Sequence, residues 1–114
     1  MKPKITVSLL PPELKEYELQ TLDQNIVAVF VSIDAFGVKN EDDMIVLFPP
    51  DSMKKGLGST IVVEIVDIPN TQRAYRVNLA ESVGKLLKDQ FSQAYIECVV
   101  RGGGRWYDEC WSSK

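Results

Sequence analysis

Residues 60–68, TIVVEIVDI, constrain the fold more than any other stretch of the chain. The run is β-branched and almost continuously apolar, which predicts a central strand covered on both faces. Pro69 ends it. A second strand is predicted from KITVSLL, where Ile5, Val7 and Leu9 share one face and Thr6 and Ser8 the other. Each strand leads into a helical pattern. After PPE, where Pro12 suits a first helical turn and Glu13 a helix N-terminus, Leu14, Leu22, Ile26, Val29, Phe30 and Ile33 recur at helical spacing, with Gly37 as a stop. In the second half Tyr75, Leu79, Val83, Leu86, Leu87 and Phe91 form the stripe, with Asn70 or Thr71 as cap. Gly84 inside that helix costs about 1 kcal/mol relative to alanine and marks close packing. A short strand follows each helix, DDMIVLFPP in the first half and AYIECVVR in the second.

The order is therefore strand, helix, strand, repeated once. Each half has the size of a βαβ unit, roughly 30 residues or more. No linker divides the 114 residues, so a single domain over 1–114 is expected, with a glycine-hinged aromatic tail at 102–114. Two α/β folds share this order. One has two βαβ units related by a pseudo-twofold axis, giving a four-stranded sheet with two helices on one face. The other is the ferredoxin-like βαββαβ fold, an antiparallel sheet of interleaved units. Periodicity does not separate them.

Composition narrows the chemistry. A net charge of −3 gives no reason to expect nucleic acid or an anionic membrane as partner. No uncharged apolar run is long enough to span a bilayer, and the N-terminal residues do not read as a signal peptide, so a cytoplasmic protein is expected. Cys98 and Cys110 are then thiols. With no histidine in the chain, serine- and cysteine-histidine nucleophiles drop out, and the two cysteines alone do not make a zinc site. No metal and no cofactor are expected. Asp42, Asp43 and Asp51 read as loop surface, Lys54 and Lys55 as a solubilising loop pair, and Tyr75 and Tyr95 as core or rim.

Three segments carry a resemblance to a known family: PKITVSLLPPE, FPPDSMKKGLGST and YIECVVRGGGRWYDECW. Together they resemble the tautomerase superfamily, the group of macrophage migration inhibitory factor and 4-oxalocrotonate tautomerase. The resemblance implies the first of the two folds and a homotrimer, with pockets between subunits. It also implies an isomerase acting on a small keto or enol carboxylic acid. In such proteins an N-terminal proline of lowered pKa is the general base, and arginines hold the substrate carboxylate.

The matching proline is Pro3, and here the chain departs from the pattern. Met1 and Lys2 precede Pro3, so its nitrogen is an amide with no usable lone pair. Methionine removal requires a small second residue, so Lys2 is expected to keep Met1 in place. Candidate carboxylate-binding residues are Arg73 and Arg76, one turn apart at the start of the second helix. Arg101 and Arg105 flank the three glycines, with Trp106 and Tyr107 beside them as a pocket rim or subunit contact. The alternative is a non-catalytic trimer that binds a small anion or a protein.

Overall fold

The computed structural model describes residues 2–50, 56–102 and 107–113. Strand β1 (Lys4–Ser8) leads to helix α1 (Glu16–Ser32) and strand β2 (Ile45–Leu47). Strand β3 (Thr60–Val66) leads to helix α2 (Arg73–Gln90) and strand β4 (Tyr95–Val100). A further strand, β5 (Glu109–Ser112), follows. The sheet order is β2-β1-β3-β4-β5. β1 and β2 are parallel, as are β3 and β4, while β1 and β3 run antiparallel at the centre. Each βαβ unit thus keeps its own two strands adjacent, and the units face each other across a pseudo-twofold axis. The interleaved ferredoxin-like arrangement is thereby excluded. The two halves even end their long strands alike: Leu9 and Asp67, each one residue past the strand, both take positive φ (66° and 61°), a conformation that costs a non-glycine residue roughly 1 kcal/mol or more.

The expected four-stranded sheet is corrected to five. β5 pairs antiparallel with β4, with Glu109 opposite Val100 and Trp111 opposite Cys98. Helix α1 also begins later than Pro12. The chain first makes a turn closed by the Leu14 N–H on the Pro11 carbonyl (3.4 Å), and the Glu18 carboxylate accepts the Lys15 N–H (3.3 Å) to start the helix there. Gln72, rather than Asn70 or Thr71, stands at the cap of α2.

Both helices pack on one face of the sheet. Ile5 and Val7 of β1, Ile61, Val63 and Ile65 of β3, and Ile96, Cys98 and Val100 of β4 are fully buried. They share one core with Leu22, Ile26 and Phe30 of α1 and Leu79, Val83 and Leu87 of α2. The alternate positions of β3, Val62, Glu64 and Val66, are only half-buried. Within one chain the central strand is therefore covered on one face and not two. On the open face Ile45, Leu47 and Tyr95 each expose about two-fifths of their surface.

Candidate functional site

The strand directions bring five chain segments to one end of the sheet. β1 begins there, β3 and β4 finish there, and the antiparallel β5 and the helix α2 both start there. Ile5, Ile65, Val100 and Glu109 form one row across the sheet at this end, all on the helix-covered face. Pro3 lies two residues beyond Ile5 on the same face and is buried. Its carbonyl accepts the Ile45 N–H at 2.8 Å, extending the β1–β2 pairing. Lys2 acylates its nitrogen. Proline suits this place because a strand's first residue need not donate.

Arg73 and Arg76 meet at the N-terminus of α2, and what they meet on is Glu109. The Arg73 Nε donates to Glu109 Oε1 at 3.0 Å, and the Arg76 Nη2 lies 3.7 Å from the same oxygen. A further Arg76 nitrogen, Nη1, donates to the Thr71 carbonyl. The Arg76 and Glu109 side chains are only 7% and 10% exposed, whereas that of Arg73 is 75% exposed. A buried carboxylate needs such partners, because desolvating an isolated ion costs several kcal/mol. The helix N-terminus adds a favourable dipole for the anion.

Arg101 goes elsewhere. It follows the inward Val100 by one residue, so the pleat turns it to the open face. There its Nε donates to Glu64 Oε2 at 2.9 Å and its Nη1 to Asp108 Oδ2 at 3.0 Å. The other oxygen of Asp108 accepts the Gly102 N–H at 2.6 Å. That backbone bond, followed by the Arg101 guanidinium, holds the Asp108 carboxyl below its ordinary value. The two carboxylates raise the Arg101 guanidinium further still, Glu64 more than Asp108.

The four candidate arginines are thus not one cluster. Arg73 and Arg76 share the helix-covered face, Arg101 sits on the opposite face, and Arg105 and Trp106 lie outside the described residues, as do Asp51, Lys54 and Lys55. Tyr107 is 91% exposed. Pro3 and Glu109 are three strands apart, at roughly 4.8 Å per inter-strand step. Asp43 closes its own turn, accepting the Lys39 and Asn40 N–H groups. Among the described residues no three acidic, cysteine or histidine side chains gather to hold a metal. No described helix is long and apolar enough to cross a membrane.

The residues missed from the sequence are the carboxylates, Glu109 above all. Its signal was alternation: Glu109, Trp111 and Ser113 fall on one side of a strand. Trp111 lies over Gly84 of α2, where an added Cβ would sit 2.8 Å from Cδ2 and nearer still to Cε3. Ser113 is tied to Ile96 twice, donating its N–H to the Ile96 carbonyl (2.9 Å) and accepting the Ile96 N–H on Oγ (2.8 Å). At the far end of the sheet lies a separate apolar cavity of about 280 Å³, walled by Leu10, Pro11, Leu14, Phe48, Pro49 and Leu57.

Two parallel βαβ units set antiparallel about a pseudo-twofold axis define the fold of the tautomerase superfamily. Solved structures bear this out. Two fused 4-OT wild-type asymmetric trimers, F6 and R7, match at TM-scores of 0.61 and 0.60, with 16% and 15% identity. Both alignments cover 91% of this chain and 94% of the other. A malonate semialdehyde decarboxylase, described with decarboxylase and hydratase activities, matches at a TM-score of 0.53 and 16% identity, over 93% of this chain and 88% of its own. At such identity the likeness is one of fold. No protein-family model and no curated protein matches the chain.

Proposed function

We propose that this chain is a non-catalytic protein of tautomerase fold, a self-assembling scaffold for binding rather than an isomerase. One observation carries the reading: Arg73 and Arg76, the pair expected to hold a substrate carboxylate, are both engaged by the chain's own Glu109. The acylated nitrogen of Pro3 supports it, since a proton shuttle needs a free secondary amine. So does the placement of Arg101, which is turned to the other face and neutralised by Glu64 and Asp108.

Assembly as a homotrimer fits the open sheet face. Ile45, Leu47, Val62, Val66 and Tyr95 leave apolar surface there that three copies can bury against one another. The fused 4-OT structures are described as trimers. A second copy would also give β3 the two-sided cover that its composition calls for. Sedimentation at micromolar concentration is expected to give the trimer mass, and a monomer would count heavily against this assembly. A cytoplasmic setting suits the two free thiols.

The catalytic reading is tested with the intact chain and an enol such as phenylenolpyruvate. Ketonisation at the buffer rate is expected. A rate proportional to protein concentration that survives repurification would overturn the non-catalytic reading.

A further inference from the structure

We propose that Glu109 is the resident occupant of an anion site and that β5 is the strap that holds it in place, so that a free carboxylate binds there once Glu109 is withdrawn. The inference rests on the preceding reading of the arginine pair and adds what closes the site and what can open it.

The strap is built on every second residue. Glu109 reaches the two guanidiniums, Trp111 covers Gly84, and Ser113 is bonded to Ile96 on both sides. Among the described residues only one edge of β5 is paired, and the strand spans four residues. Short edge strands detach at lower free energy than a core strand such as β3. Of the three anchors, the ionic one is the anchor a solute can replace. Arg73 stands three-quarters in solvent and gives the site its mouth, while Arg76 forms its buried floor.

The geometry also leaves room for a better ligand. Arg73 and Arg76 close on the same oxygen, Oε1, with Arg76 at 3.7 Å, beyond good hydrogen-bond distance. A carboxylate tethered to a strand has little freedom to turn. One belonging to a small organic acid can present both oxygens to the two guanidiniums, the arrangement that binds carboxylates most strongly. The class of ligand is accordingly a small carboxylate.

The test uses the full chain with Glu109→Ala and Glu109→Gln, melted in formate and in sodium chloride of equal ionic strength. Glu109→Ala should melt on the order of 10 °C below the wild type in chloride. Formate should restore part of that loss along a saturable curve. If Glu109→Ala is unfolded in chloride, the return of its folded circular-dichroism spectrum in formate is the same readout. The formate response should fall in the order alanine, glutamine, wild type, because the neutral glutamine keeps the volume but competes less well. Adding Arg76→Met to Glu109→Ala should remove the response. No response beyond chloride in either variant, or an equal response in all three proteins, overturns the proposal. Enol turnover by the intact chain would instead strike the non-catalytic reading, and the two failures are read in separate assays.

Discussion

Trp111 of β5 lies directly on Gly84 of α2, in space that a single methyl group would fill. The contact ties the last strand to the second helix and accounts for a glycine in the middle of that helix. Gly84→Ala gains up to about 1 kcal/mol of helix propensity. It also drives a Cβ into the indole, and overpacking of this kind costs about 1–3 kcal/mol. The indole sits on a strand fixed at Glu109 and Ser113, so the clash should prevail. A net loss on the order of 1 kcal/mol is expected in urea denaturation. A more stable variant would mean that Trp111 swings aside freely.

Arg73 and Arg76 contact the same carboxylate from opposite environments, and their removal should differ accordingly. Arg76→Met takes a buried guanidinium from a buried carboxylate, and the expected loss is about 3 kcal/mol or more. Arg73→Met removes a side chain that is 75% exposed, and under about 1 kcal/mol should follow. Equal losses in chemical denaturation would contradict the burial of the Arg76–Glu109 pair.

Much of the fold was legible in the chain because its signals are local. The alternation in KITVS, the apolar run TIVVEIV and the helical stripes each give an element by themselves, and two such units in series fix the core. Gly84 announced a close approach, though not its partner. Pairing direction was not legible, because nothing in either strand says whether its neighbour runs parallel. β5 was missed because a four-residue edge strand after three glycines carries too little pattern. The engagement of Arg76 was missed for a related reason. The buried positions of α2 are 76, 79, 80, 83, 84 and 87, so the inward face begins at Arg76 rather than at Tyr75. An arginine is acceptable there only because Glu109, far along the chain, arrives beside it.

The two cysteines should differ sharply in reactivity. Cys98 is fully buried in β4, and burial, with a smaller contribution from Cys110, pushes its thiol up to about 12. Cys110, on the open face of β5, is exposed. At pH 8 a disulfide reagent should titrate one thiol per native chain and two after unfolding. Two rapid thiols in the native protein would mean that β4 and β5 open readily.

The Asp108 link should appear as an acid-side dependence. Its carboxyl is held below the ordinary 3.8 by the Gly102 N–H and then by Arg101. A depressed carboxyl stabilises the fold above its unfolded pKa, near 3.9, and loses that contribution as pH falls through the lower folded value. The stability difference between wild type and Asp108→Asn should therefore be constant near neutrality and shrink as pH falls through and below the ordinary carboxyl range. An Asp108 carboxyl that titrates at or above 3.8 by NMR would remove the basis for this expectation.

The most direct test gives the chain what it lacks for proline chemistry and asks whether the rest of the site responds. A form cut to begin at Pro3 frees the secondary amine but leaves Arg73 and Arg76 engaged by Glu109. Its rate with phenylenolpyruvate should remain at background, equal to that of the intact chain. A protein-dependent rate well above background in the Pro3-initiated form would contradict the non-catalytic reading of the fold.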